Sequence, residues 1–458
     1  MIIMKRFKYL LLLSLIVVIP LVLGMASPMK MTDARERNAV IRVEAEPNLE
    51  IHEGYVSQRE ETVLLKKGRN TIARIHLSEP VVVAQAEQEE KWGYFQFPSI
   101  GRAEDGTLIV SWQMNADSHK AYGISSGREI GPMVSKDGGK NWKPKDRDYH
   151  LFSRGYNVKI TDGRVLQIMT PKSKDICKYK DFPNPVLAEG NTTYYLENQL
   201  PEDLRGAYLQ YEGSDNSVDY FHADLIDPGL LRTAIEGLMP VIWWGNIAQL
   251  SDGALVAGVY PTHYLEKNGE VIKGSVSFYR SDDMGKTWNI VGKIPFVADG
   301  IADKRSKDKA YEEPAFEVLT DGTFLCVMRT GSTSPMYKTI SKDQGKTWSK
   351  PEPFTPNGVK PTLLRLNNGV IVLASGRPGV QLRFCLEGDG QKWTDPIEMI
   401  PYMDIRGKYE VWANSCGYTS ILSADNNSFY FVYSDFKSKN ENGELRKAII
   451  FRKLTIKR

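Results

Sequence analysis

Ser135-Lys136-Asp137-Gly138-Gly139-Lys140-Asn141-Trp142 returns twice with the same spacing, as Ser281-Asp282-Asp283-Met284-Gly285-Lys286-Thr287-Trp288 and as Ser341-Lys342-Asp343-Gln344-Gly345-Lys346-Thr347-Trp348. A fixed Ser-x-Asp-x-Gly-x-x-Trp pattern suits a tight turn between strands. The carboxylate can accept backbone N–H bonds, the glycine supplies an unusual dihedral, and the tryptophan plugs a sheet layer. Recurrence at this length marks a repeat architecture rather than a catalytic motif. A decayed fourth copy, Gly388-Asp389-Gly390-Gln391-Lys392-Trp393, keeps the glycine and tryptophan but shifts the aspartate.

Working outward, a second repeat counts the units. Asp105-Gly106, Asp162-Gly163, Asp252-Gly253, Asp321-Gly322 and Asn368-Gly369 each precede an apolar, β-rich run, and Asp425-Asn426-Asn427 is a weaker sixth copy. Such pairs predict two-residue hairpin turns between neighbouring strands. Six turns predict six blades. The wide gap between the second and third turns predicts an insertion near residues 178–233 rather than a seventh blade. The length of 458 residues suits a propeller in which each blade is one four-stranded sheet.

Composition narrows the function. Lys and Arg number 59 against 56 acidic residues, a net charge of +3, and no arginine-rich stripe is interleaved with aromatics, so nucleic acid is not an expected partner. The start of the chain carries Lys5 and Arg6, an apolar stretch from Tyr9 to Leu23, and small residues at Gly24 and Ala26. That pattern predicts a signal peptide over 1–26, cleaved before Ser27, and hence a secreted or periplasmic protein with no membrane span in its mature form. Residues 27–90 read as a leader strand that closes a ring or as a small β appendage, and 91–458 as the propeller. Cys177, Cys326, Cys385 and Cys416 are scattered singly, which fits buried free thiols better than a Cys385–Cys416 disulfide, and the six histidines show no metal-ligand spacing. No cofactor and no metal are expected, and a monomer is.

The octapeptide resembles the Asp-box, or BNR repeat, of the sialidase (neuraminidase) superfamily, whose fold is an all-β, six-bladed propeller. The later half of the chain carries the order Glu313, Arg329, Arg377, Tyr418, in Glu313-Pro314, Met328-Arg329, Ser375-Gly376-Arg377 and Cys416-Gly417-Tyr418-Thr419-Ser420. This is similar to the catalytic set of exo-sialidases. The resemblance implies that Arg329 and Arg377 hold a substrate carboxylate, that Tyr418 is the nucleophile, and that Glu313 takes its proton. Chemistry agrees with those roles. Planar guanidinium groups bind a carboxylate through paired N–H bonds. A phenol that titrates near pH 10 needs a neighbouring base. A neutral phenol also avoids setting a carboxylate nucleophile beside an anionic sugar.

Two departures bear on specificity. Where the family carries Phe-Arg-Ile-Pro, this chain reads Phe95-Gln96-Phe97-Pro98, so Gln96 stands in place of a third arginine. Asn115-Ala116-Asp117-Ser118-His119 occupies the stretch where the family places its acid, which makes Asp117 the expected general acid and His119 a rival for that role and a candidate substrate contact. Trp243-Trp244-Gly245-Asn246 suits either sugar stacking or propeller core. His222, Asp224 and His263 fall in loop-like text, and Tyr409 to Asn414 precede Tyr418 as rim residues. The expected activity is exo-hydrolysis of a terminal acidic sugar from a glycan, with retention. The alternatives are another acidic- or deoxy-sugar hydrolase, a uronate lyase, or a non-catalytic glycan-binding propeller.

Overall fold

Each Asx-Gly site joins the first and second strands of a four-stranded antiparallel sheet. The computed structural model describes residues 42–45, 59–67, 69–118, 120–121, 124–128, 130–146, 152–153, 157–169, 172–213, 217–239, 242–302, 310–331, 334–377, 379–400 and 415–458. Sheet 1 is built on strands Tyr94–Arg102, Leu108–Met114, Met133–Ser135 and Lys143–Pro144, with Phe152–Ser153 added beside the first. Sheet 2 holds Asn157–Lys159, Val165–Ile168, Ala207–Glu212 and Val218–Ile226, and sheet 3 holds Trp243–Gln249, Leu255–Leu265, Val271–Ser281 and Thr287–Ile294. Sheet 4 is Glu312–Val318, Phe324–Arg329, Met336–Ser341 and Glu352–Thr355, and sheet 5 is Val359–Arg365, Ile371–Gly376, Val380–Cys385 and Ile397–Ile400. Sheet 6 is Thr419–Asp425, Ser428–Lys439 and Leu445–Lys457, completed on its outer edge by Val81–Gln85 and Asn70–Leu77. Strands Glu61–Lys67 and Arg42–Ala45 continue that edge.

The first strands follow one another in the order of a six-bladed propeller. Thr419–Asp425 packs between Tyr94–Arg102 and Val359–Arg365, and Glu312–Val318 packs between Val359–Arg365 and Trp243–Gln249. Trp243–Gln249 in turn touches Asn157–Lys159, which meets the Phe152–Ser153 strand of sheet 1. Side-chain bonds lock several of these seams. Asn246 exchanges two bonds with the backbone of Phe316, Glu317 accepts from the Arg365 N–H, and Arg102 donates to the Ser423 carbonyl.

The octapeptides explain how sheets adhere. In each intact copy the serine hydroxyl donates to the aspartate and accepts from the glycine N–H, while the tryptophan Nε1 donates to that glycine's carbonyl. The indole is then aimed at a neighbour: Trp142 against Phe451 of sheet 6, Trp348 against Phe278 of sheet 3, and Trp393 against Phe354 of sheet 4. Trp288 is fully buried on Trp244, where truncation to alanine would cost about 3–5 kcal/mol. Gly139 is obligatory, since a Cβ there would lie 2.1 Å from the Phe451 ring. The decayed copy is repaired by Cys385, whose thiol donates to Asp389 in place of the serine hydroxyl.

Two expectations are refined. Five of the hairpin turns are three-residue loops: in the first, Gly106 N–H donates to Ala103 O and Ala103 N–H to Thr107 O, with Gly106 at φ +85°, and the other four repeat this pattern. A tight turn followed by a left-handed glycine gives that longer loop, which is why Asx-Gly here does not make a two-residue hairpin. The sixth, between Asp425 and Ser428, has the two-residue form. The wide gap holds a small sheet of Lys174–Asp175, Leu187–Glu189, Thr192–Leu196, Leu230–Ile235 and Leu238–Met239, attached where Leu230 and Leu231 pair with Tyr264 and His263 of sheet 3. All four cysteines are free thiols, three buried and Cys177 exposed. No helix among the described residues is long and apolar enough to cross a membrane, and residues 1–26 lie outside the described residues.

Candidate active site

The first strands of sheets 1, 3, 4 and 5 break register at the end away from their Asx turns. The shifts fall on both sides of Gln96, between Trp244 and Ile247, between Glu312 and Ala315, and between Val359 and Thr362. Such bulges add an unpaired residue and redirect its side chain. Backbone strain gathers at the same end. Phe95, Phe97, Glu313, Lys360 and Arg377 all have φ between +44° and +54°, a region costing non-glycine residues about 1–3 kcal/mol each. Gly417, beside Tyr418, admits the Arg377 backbone, because a Cβ there would meet Arg377 N at 2.4 Å.

These ends open into a cavity of about 690 Å³ lined by all six sheets, from Phe97 and Gln113 through Gln167, Asn246, Glu313 and Lys360 to Tyr418. At its base the Tyr418 hydroxyl donates to Glu313 Oε1. Arg329 Nη1 donates to the same oxygen at 2.9 Å and lies 3.4 Å from the Tyr418 hydroxyl, and the Lys360 N–H donates to Glu313 Oε2 at 2.7 Å. Glu312 flanks Arg329 from the other side, 3.7 Å from Nε.

Charge at this centre follows from burial and partners. Burial pushes the Glu313 carboxyl up, but Arg329, Lys360 and the Tyr418 hydroxyl together hold it below the ordinary glutamate range. Burial and then the Glu313 charge push Tyr418 well above the usual phenol value, against the pull of Arg329 and Arg377. The resting centre is therefore a carboxylate, a guanidinium and a neutral phenol. The phenol's proton already lies on the path to Glu313 Oε1.

Arg377 sits beside this set rather than on the cavity wall. It is only 4% exposed, donates from Nε and Nη2 to the Cys416 carbonyl, and places its guanidinium 5.6 Å from the Tyr418 ring centre and 5.4 Å from that of Trp92. Desolvation lowers its pKa. Asp117 lines the cavity on an exposed loop and accepts from Trp92 Nε1 at 2.9 Å.

Gln96 does not line the cavity. It is fully buried, and with its amide turned to suit its neighbours Oε1 accepts from Lys447 Nζ at 3.2 Å and from the Gly93 N–H at 3.1 Å. The double bulge around it turns the side chain from the place that strict strand alternation would assign. His119 and the rim residues Tyr409 to Asn414 lie outside the described residues.

The tryptophan pair divides its roles, Trp243 lining the cavity while Trp244 is core. His222 bonds the Arg205 carbonyl, and His263 is half-buried with its pKa lowered by desolvation to about 4. Neither histidine lines the cavity. Sequence reasoning did not single out Trp92, Lys360 or Glu312, of which only Glu312 carried a signal, as the first acid of a Glu-Glu-Pro triplet at a strand start.

Residues 231–431 match the family of BNR repeat-like domains. Among solved structures, a Dyadobacter fermentans protein of unknown function is 19% identical and superposes with a TM-score of 0.53, covering 84% of this chain and 99% of its own. The NanB sialidase of Streptococcus pneumoniae is 17% identical at a TM-score of 0.44, over 82% of this chain and 70% of that one. An α-L-arabinanase of Penicillium chrysogenum is 14% identical at 0.45, over 82% and 98%. These likenesses concern the fold alone. No curated protein matches the chain by sequence.

Proposed function

We propose that this protein is an exported, retaining exo-glycosidase that removes a terminal acidic sugar from a glycan, with Tyr418 as its nucleophile. The observation that carries the reading is the Tyr418 hydroxyl donating to a buried, charged Glu313 that also holds Arg329. Asp117 protonates the departing glycosidic oxygen while Tyr418 Oη attacks the anomeric carbon and passes its proton to Glu313. Asp117, now a carboxylate, takes a proton from the water that cleaves the aryl-glycoside linkage, and Glu313 returns the proton to the released phenol. Two displacements at one carbon retain configuration. Arg329, with Arg377 behind it, receives the substrate carboxylate.

One observation favours a sugar other than sialic acid. Gln96 is turned to Lys447, and Arg377 is engaged by the Cys416 carbonyl, so the carboxylate has fewer cationic partners than three open arginines would offer. Losing one charge-assisted contact weakens binding by about 1.5–3 kcal/mol. The purified protein should be incubated with aryl glycosides of an α-sialic acid, of uronic acids and of neutral sugars, beside Tyr418→Phe. Release by the parent and none by the variant supports the reading. Equal release by both removes Tyr418 from the chemistry, and an unsaturated, ultraviolet-absorbing product would mean β-elimination instead.

A further inference from the structure

Trp92 touches both ends of the site without lining its cavity. Its indole Nε1 donates to Asp117 Oδ2, and its ring carries the Arg377 guanidinium. The ring stands edge-on to Phe97, whose own ring packs 4.7 Å from that of Tyr418, while Phe436 closes the other side. The backbone beneath is pinned from two directions. Lys447 Nζ donates to the carbonyls of Lys91 and Tyr94, and Gly93 lies so close to the Asp117 loop that a Cβ would be 2.1 Å from the Asn115 carbonyl oxygen.

The geometry points to Trp92 as a positioning residue for the general acid, one that fixes which oxygen of Asp117 carries the transferred proton. The inference rests on the reading of Asp117 as that acid. An indole N–H donates and cannot accept. Oδ2 therefore stays an acceptor whether Asp117 is ionised or not, and the proton is confined to Oδ1. On an exposed loop a carboxyl would otherwise turn about its Cβ–Cγ bond and share the proton between both oxygens. Because the same ring faces Arg377, displacing it would disturb the acid and the buried guanidinium beside Tyr418 together. A sugar-stacking platform does not fit, since the half-buried ring faces Arg377, Phe97 and Phe436 and does not line the cavity.

Trp92→Phe keeps an aromatic face, though a smaller one, for Arg377 and removes the N–H. The test compares this variant with the parent on one sugar carried by leaving groups ranging from nitrophenol to a simple alcohol. Poor leaving groups need the proton and good ones do not. The expected result is a kcat about tenfold lower on the alcohol, a change under about twofold on nitrophenol, and an unaltered KM, a fraction of the full contribution of a general acid. An equal loss across leaving groups, or a loss confined to KM, would overturn the assignment in favour of structural support.

A second measurement does not need turnover. The indole N–H signal of Trp92, identified by its absence in Trp92→Phe, should move as Asp117 titrates and stop doing so in Asp117→Leu. A signal indifferent to Asp117 would overturn the pairing itself. A parent silent on every glycoside, with the indole signal still following Asp117, would sink the glycosidase reading and reduce Trp92 to a structural contact.

Discussion

The two arms of the site are built on opposite principles. The Glu313, Arg329 and Tyr418 arm comes from sheets 4 and 6 and centres on a buried Glu313, one of whose oxygens takes Arg329 and Tyr418 while the other takes the Lys360 N–H of sheet 5. The Asp117 arm comes from a loop of sheet 1, is exposed, and is held by one indole N–H. Burial makes the first arm's charges part of the fold, because a carboxylate out of water must keep its partners. Exposure leaves the second free to exchange its proton with solvent, as the acid-then-base role proposed for it requires. In the proposed reaction the first arm shuttles its proton internally between Tyr418 and Glu313, and the second trades protons with the leaving group and water.

That contrast can be broken by substitution. Tyr418→Phe should lower kcat by at least about a thousandfold on every substrate, as loss of a covalent nucleophile does, with an unchanged circular dichroism spectrum. Asp117→Asn should cost about 10²–10⁴-fold on alcohol leaving groups and far less on nitrophenyl glycosides, so a uniform loss would contradict its role as acid.

The arms should also separate in stability. Arg329→Met strands the buried Glu313 carboxylate and should cost about 3–5 kcal/mol in urea unfolding, whereas Asp117→Asn should stay within about 0.5 kcal/mol. The smallest effect is in pH. Glu313 is held below its usual 4.5 because Arg329 and Lys360 outweigh its burial, so its stabilisation is complete above that value and lost as pH falls through the lower folded one. The acid limb of kcat/KM should accordingly lie below pH 4.5, and a limb near 6 would mean that Glu313 is not the base.

Legibility in the sequence followed locality. The octapeptides and Asx-Gly turns act through bonds a few residues long, so they could be read directly, and with them the six sheets. The pairing of Val81–Gln85 with Ala448–Phe451 leaves no local trace, and residues 27–90 stayed ambiguous for that reason. Within the site, Glu313, Arg329 and Tyr418 sit at strand ends whose spacing the repeats dictate, and the fold brings them together. Gln96 was placed at the site by its position in the motif, but it lies buried between two bulges, away from the cavity. Trp92 escaped notice because its partners, Asp117, Arg377 and Phe436, are drawn from three separate sheets.

The outer edge of sheet 6 sets an order in time. Asn70–Leu77 and Val81–Gln85 are made early, yet the strand they join, Leu445–Lys457, is made some 370 residues later. At about 5–20 residues per second, the edges of those early strands that face Leu445–Lys457 wait roughly twenty seconds to over a minute during translation with their pairing groups unmet. Sheets 1 to 5 can form in that interval, but the seam that joins the first sheet to the last cannot. An exposed strand edge is a template for the wrong neighbour. The ribosome's pace, as much as the sequence of any blade, therefore sets how long this chain is open to misassembly.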